Sequence, residues 1–82
     1  MAAVDMLLPH QVTLRRELAS ELDAIDIWVR QQWPYTYGAT VYRGWVEHAI
    51  TFYTGLGARR GYNCSWNFQF ESDAVFFRLT WG

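Results

Sequence analysis

The residues of this chain that could do chemistry begin with a glycine-rich segment that carries two arginines. Residues 55–61 read Gly-Leu-Gly-Ala-Arg-Arg-Gly. Glycines let backbone amides approach an anion, but this spacing matches neither the dinucleotide-binding motif nor the P-loop. We therefore predict a flexible surface loop over residues 54–61, from which Arg59 and Arg60 would contact an acidic partner or a nucleic-acid backbone.

A thiol and an imidazole form the second candidate. Cys64 is the only cysteine of the chain, and alternating strand patterns place it on the same inward side of a sheet as His48. Nucleophilic catalysis needs an exposed, activated thiolate beside an oriented base, whereas core-facing Tyr62 and Trp66 flank Cys64. The sequence thus predicts a buried, inert thiol. With two histidines and one cysteine lacking metal-ligand spacing, we expect no catalytic residue, metal or cofactor.

The third candidate is a sheet face on which aromatic rings alternate with amide side chains. We expect the function of the protein to lie on this face. RNA-binding sheets stack unpaired bases on such rings, and protein interfaces are enriched in Tyr, Trp, Phe and Arg. A second copy of the chain, or the N-terminal tail, could also cover this face. The predicted partner-binding residues are Tyr42, Trp45, Arg59, Arg60, Asn67, Phe76 and Arg78.

A strand from Tyr62 to Phe70 is the clearest element that would position these residues. Every second residue in it is aromatic or Cys, and the residues between are small and polar, the period of a strand with one buried face. The run from Val75 to Trp81 fits against it as an antiparallel partner, with Phe70 opposite Val75. The outward side of this hairpin would hold Asn63, Ser65, Asn67, Gln69, Phe76 and Arg78.

The first half of the chain predicts a helix at about residues 10–33, after a tail over residues 1–9. Pro34 ends the helix, because the residue before a proline avoids the α region. Beyond it, two strands joined at Arg43-Gly44 are predicted, with a helix over residues 45–54 as the alternative. The apolar side of the first helix would comprise Leu14, Leu18, Leu22, Ile25, Trp28, Val29 and Trp33.

These elements predict a single α+β domain over residues 1–82. One N-terminal amphipathic helix would pack on one face of a four-stranded antiparallel sheet spanning about residues 35–81, and the second face would stay uncovered. If residues 45–54 are helical, the element order becomes α-β-α-β-β.

Composition supports a small domain with a core of large side chains. The chain has 82 residues, of which 18% are aromatic, and rings bury much area per residue. A net charge of −1 is too weak to indicate nucleic acid. The lone cysteine excludes an intramolecular disulfide and favours a reducing compartment. We expect no signal peptide in residues 1–8, and the chain has no run of the ~20 apolar residues that are needed to span a bilayer. We therefore expect a cytoplasmic protein.

The sequence therefore predicts a non-enzymatic protein-binding module that occludes the surface of a larger protein or complex, as an inhibitor or adaptor. Phage and mobile-element inhibitors of host defence, such as anti-CRISPR proteins, share this size and character, which is an analogy of class and not of residues. The alternatives are a sheet that binds single-stranded nucleic acid, which is less favoured, and a homodimeric structural protein. No membrane partner is expected.

Overall fold

Residues 8–82 fold as two helices on a three-stranded sheet. The computed structural model describes residues 8–82, with residues 49, 50, 52 and 54 described by their backbone alone. Residues 1–7, which hold most of the predicted tail, lie outside the described residues. The elements are β1 (His10–Arg16), α1 (Ala19–Gln32), β2 (Val41–Thr54), β3 (Gly57–Phe68) and α2 (Glu71–Trp81). The predicted α+β class is confirmed, but the four strands and the single helix are wrong.

The strands form one antiparallel sheet in the order β1-β3-β2. β3 lies at the centre, and its predicted alternation is confirmed as far as Phe68. Cys64, Trp66 and Phe68 are fully buried, and the residues between them face the other side. Neighbouring strands bond to β3 on both edges, which fixes its register from two sides. The core comprises Val12, Leu14, Leu22, Ile25, Val29, Val41, Cys64, Trp66, Phe68, Ala74 and Phe77.

The predicted helix over residues 10–33 is wrong in its first part, which forms β1. Val12 and Leu14 are buried between exposed neighbours, a period of two that matches the inward face of β3. The spacing of Leu14, Leu18 and Leu22 imitates a helix, but Leu18 lies at the N-cap of α1 and is 60% exposed. The remainder of the predicted helix is confirmed as α1.

The second strand of the predicted C-terminal hairpin is a helix, α2, and the pairing of Phe70 with Val75 is wrong. Ala74 and Phe77 recur at helical spacing and are buried, and Trp81 packs partly buried against the same core. Acidic residues in the first turn and an arginine in the last complement the helix dipole. Leu79, which the strand would have buried, is 82% exposed.

β2 is one continuous strand with two irregularities in its pairing to β3. The predicted turn at Arg43-Gly44 is therefore wrong, and so is the alternative helix over residues 45–54. The predicted loop over residues 54–61 is also wrong. Gly55 and Leu56 form a turn, followed by Gly57 at a φ of 111°, a conformation that glycine adopts without strain. The strands beside this turn extend past the end of β1 as a two-stranded ribbon.

Both helices pack on the same face of the sheet, because α1, α2 and the inward residues of the strands share one core. Within residues 8–82, no helix covers the opposite face. Neither of the two helices described is long and apolar enough to cross a membrane. The polar side of β3 is thus the side that a partner could reach.

Candidate outer-face binding site

The sheet face opposite the helices, called the outer face below, is the candidate site. β3 contributes three polar side chains to it, and each is hydrogen bonded to a neighbouring strand. Ser65 and Asn67 are only 8% and 6% exposed, so they form a fixed polar floor. The bonds run from Gln11 Nε2 to Asn67 Oδ1 at 3.2 Å, between the Thr13 and Ser65 hydroxyls at 2.8 Å, and from Asn63 Nδ2 to Glu47 Oε1 at 3.4 Å.

A β-bulge in β2 shapes the outer face. Arg43 and Val46 pair with successive inward residues of β3, so Gly44 and Trp45 together oppose Ser65. A bulge bends its strand and redirects a side chain. Gly44 leaves the floor open, since a Cβ atom there would lie 3.2 Å from the Ser65 carbonyl oxygen. The extra residue of the bulge thus presents the Trp45 ring without a neighbouring side chain at position 44.

A groove of about 220 Å³ results, with two aromatic rings in its lining. Trp45 is 82% exposed, and Tyr42 is half-buried. Burial of an exposed tryptophan against a partner would remove a large apolar area from water, while amides of the floor can donate to or accept from a polar group. The groove is lined by Gln11, Tyr42, Gly44, Trp45, Ser65 and Asn67.

The chain matches no protein-family model, no curated protein and no solved structure. In the described part of the chain, no group of three His, Cys, Asp or Glu side chains is placed to hold a metal ion. The geometry of the chain itself must therefore support any assignment of function.

The structure brings together three of the predicted partner-binding residues, Tyr42, Trp45 and Asn67, on the outer face. Arg59 and Arg60 lie apart from them on the β2–β3 ribbon, and both are exposed. The Arg59 Nε atom lies 3.9 Å from Glu17 Oε1, a distance at which exposed charges interact weakly.

The prediction that the remaining two residues, Phe76 and Arg78, lie on the sheet is wrong. Both belong to α2, which packs on the opposite face of the sheet. The Phe76 ring packs against Trp28 of α1 and against Trp33, the residue that follows α1, with centroid distances of 5.7 and 6.2 Å. It remains 47% exposed, and Arg78 is also exposed. The predicted single platform is thus two surfaces on opposite sides of the molecule.

Gln11 and Thr13 belong to the outer face, although sequence reasoning assigned them to a helix. The signal that could have found them is the alternation around Val12 and Leu14, which repeats the period of β3. The longer leucine spacing favoured a helix instead. The polar floor consequently extends onto β1.

A buried carboxylate anchors the strand that carries Trp45. Asp26 is 5% exposed and accepts hydrogen bonds from Tyr37 Oη at 2.7 Å, Trp66 Nε1 at 3.0 Å and Arg30 Nε at 3.0 Å. Burial by itself would raise the pKa of Asp26, but these three hydrogen bonds and the charge of Arg30 outweigh it and lower the pKa below its ordinary value. The carboxylate is therefore held ionised and fully engaged.

The same network reaches the bulge through Arg43. The Arg43 backbone N–H donates to Tyr37 Oη at 3.3 Å, and the guanidinium contacts Asp23 Oδ1 and Cys64 Sγ at 3.0 and 3.2 Å. Because Arg43 directly precedes Gly44, these contacts fix the strand where the bulge begins. The Asp26 network thus acts as a positioning device for the outer face.

Cys64 and His48 have different neighbours in the structure. Cys64 is fully buried, and Arg43 Nε donates to its sulfur. Burial raises the pKa of the thiol, and the hydrogen bond and charge of Arg43 only partly oppose this. The His48 ring instead lies against Tyr62, at 5.3 Å between centroids. Neither residue is placed to activate the other.

We expect Cys64 to resist thiol reagents in the native protein at neutral pH, because the sulfur is buried and its pKa is raised. Labelling should become complete only in denaturant, which mass spectrometry of the intact chain would measure. The cysteine of the same chain in denaturant serves as the control for reagent activity. Rapid stoichiometric labelling of the folded protein would contradict this and reopen a thiol-based activity.

Proposed function

We propose that the protein is a non-enzymatic binding module that docks onto a larger protein or complex through the outer face. The observation that carries the proposal is Trp45, which the bulge turns outward to 82% exposure beside the groove. Tryptophan and tyrosine dominate interface hot spots when they are buried at the centre of a contact. The hydrogen-bonded floor supplies the rigid support that such an anchor needs.

The charge of the outer face supports a protein partner over nucleic acid. Among the outward positions described for the three-stranded part of the sheet, the charged residues are Arg15 and Glu47, which pair with Asn63 from opposite sides. Their charges are opposite, so this part of the face carries no net charge. Nucleic-acid surfaces concentrate positive charge to meet phosphates. A partner with an apolar side chain for the groove and peptide groups for the amides fits this face better.

The mode of action that we propose is occlusion of the partner's surface, as an inhibitor or adaptor in the cytoplasm. The hydrogen-bonded floor of the outer face and the exposed Trp45 ring beside its groove support this mode. Inhibitors of host defence encoded by phages and mobile elements, such as anti-CRISPR proteins, are the class that we propose to test first.

Trp45→Ala is expected to weaken partner binding by about 30-fold or more, since hot-spot residues contribute ~2 kcal/mol or more. Its free energy of unfolding should change by less than about 0.5 kcal/mol, because the ring is exposed. Immobilised wild-type protein and Trp45→Ala would be used to capture proteins from the native host, with identification by mass spectrometry. Titration of the captured protein then gives the dissociation constants.

Tyr35→Ala is the matched control, because Tyr35 is 97% exposed and lies outside the sheet. A protein retained by the wild type and by Tyr35→Ala, but not by Trp45→Ala, supports the proposal. Equal retention by all three chains, or no retained protein, contradicts it.

Binding of single-stranded nucleic acid is the second candidate, because two rings on a sheet can stack bases. It predicts quenching of tryptophan fluorescence by an oligonucleotide, with an affinity that falls steeply as salt rises. Under the proposed protein-binding function, we expect no quenching by oligo-dT or oligo-U at 50 mM salt. Quenching that Trp45→Ala abolishes would favour nucleic acid instead.

A further inference from the structure

α2 carries a second apolar surface on the side opposite its core residues. Val75, Phe76 and Leu79, called the α2 stripe below, are 45%, 47% and 82% exposed. At about 100° per residue, Val75 and Leu79 lie on the far side of the helix from Phe77, which is buried. Phe76 lies at the border of this side, where one part of its ring contacts Trp28 and Trp33 and the rest is exposed. A helix that is apolar on both sides is typically covered on both sides. The stripe therefore predicts a contact outside the described chain.

The charges beside the α2 stripe are arranged for self-pairing. Glu71 and Arg78 are seven residues apart, so they lie on one flank of the stripe, and both line the same surface depression as His10. Both are exposed. Neither belongs to any of the salt bridges found within residues 8–82. One flank thus carries an acid near the start of α2 and a base near its end.

We propose that two copies of the chain associate through antiparallel packing of their α2 stripes about a two-fold axis. An axis perpendicular to both helices reverses their direction and keeps each flank on its own side. Glu71 of each copy then meets Arg78 of the other, which gives two equivalent ion pairs. Val75 and Phe76 lie close to the axis, where the apolar side chains of both copies exclude water. A second copy satisfies both the apolar and the charged features of this surface.

This association is independent of the outer-face function. The α2 stripe lies on the helical side of the sheet, so the dimer leaves both outer faces open. Two outward Trp45 rings per dimer would let it engage a partner with repeated surfaces twice. Failure of the dimer would leave the binding of one partner by one chain untouched, and loss of Trp45 would leave the dimer intact.

Sedimentation equilibrium of the full chain at a series of concentrations tests the proposal. We expect a monomer–dimer equilibrium that Leu79→Ser and Arg78→Glu each weaken by at least about tenfold, since the latter sets Glu71 against a like charge. Glu71→Arg should weaken the dimer similarly. The double variant Glu71→Arg with Arg78→Glu restores opposite charges and should recover most of the affinity.

Leu56→Ser is the matched control, because Leu56 is 84% exposed at the tip of the ribbon; it should leave the dimer unchanged. Circular dichroism verifies that each variant is folded. A chain that stays monomeric overturns the proposal, since the stripe then meets residues 1–7, another protein or water. A dimer that is insensitive to Arg78→Glu, or that the double variant fails to restore, also overturns it.

Discussion

Asp26→Ala is expected to lower the free energy of unfolding by about 2–5 kcal/mol. The substitution leaves one buried donor, Trp66 Nε1, and one half-buried donor, Tyr37 Oη, without their acceptor, and an orphaned buried donor costs about 1–3 kcal/mol. For a chain of this length, the total stability is of order 4–12 kcal/mol. This one carboxylate therefore contributes a large part of the total free energy of unfolding. Urea unfolding at pH 7, followed by tryptophan fluorescence, measures the loss.

Two matched variants show whether burial of the charge is the cause. Asp26→Asn keeps an oxygen that can accept from Trp66 and Tyr37, so its loss should be smaller, about 1–2 kcal/mol. Asp23→Asn removes a carboxylate that is 64% exposed and bridges Arg43; we expect at most about 1 kcal/mol. Equal losses for Asp26→Ala and Asp23→Asn would contradict the network's role.

The same group sets the response of the protein to acid. The pKa of Asp26 is lower in the folded chain than its ordinary value of 3.8, so the unfolded chain binds this proton first. Its contribution to stability is therefore fully present above about pH 5 and is lost as the pH falls through 3.8 toward the folded value. Asp26→Asn should flatten this part of the stability curve. If Asp26→Asn leaves the loss of stability below about pH 5 unchanged, other carboxylates control the response of the protein to acid.

The strand β3 could be predicted because it is the central strand, so both of its edges are paired and its alternation of apolar and polar residues is regular. β3 has β1 on one edge and β2 on the other. Its inward side chains therefore pack in the core, and its outward side chains form hydrogen bonds with the neighbouring strands. Its period of two therefore has no competing interpretation. The same alternation predicts Asn67 on the outer face. Tyr42 and Trp45 are also predicted there, but from two strands joined at Arg43-Gly44, where the structure has one bulged strand.

The C-terminal segment could not be predicted, because its apolar residues satisfy two periods. Val75, Phe77, Leu79 and Trp81 alternate as in a strand, while Ala74, Phe77 and Trp81 recur as in a helix. The contact that decides is non-local: the Trp28 ring of α1 packs against Phe76, Phe77 and Trp81. Only once α1 lies on the sheet does a helix bury this face.

The bulge at Gly44-Trp45 was also beyond sequence reasoning. A bulge is a mismatch between two strands, and the pairing partner of β2 is β3, whose register β1 helps to fix. Glycine at position 44 suggested a turn, because glycine is common in turns. Its role is instead to leave room over Ser65. The key feature of the site thus depends on three elements at once.

Phe77→Ala is expected to lower the free energy of unfolding by about 3–5 kcal/mol, and Leu79→Ala by less than about 0.5 kcal/mol. Phe77 is fully buried, and its ring lies 5.2 Å from that of Trp66 and 5.3 Å from that of Phe68. Alanine there would leave a cavity between α2 and the sheet. Leu79 is 82% exposed on the outer side of the same helix.

This pair of variants separates a helix from a strand over residues 75–81, since a strand would bury Phe77 and Leu79 on the same face. Urea unfolding must be measured at a concentration at which the chain is monomeric, so that the loss of an α2–α2 contact does not add to the effect of Leu79→Ala. Similar losses for the two variants would contradict α2 and restore the hairpin. A large loss confined to Phe77→Ala requires the helix, and with it the exposed stripe that a second copy would cover.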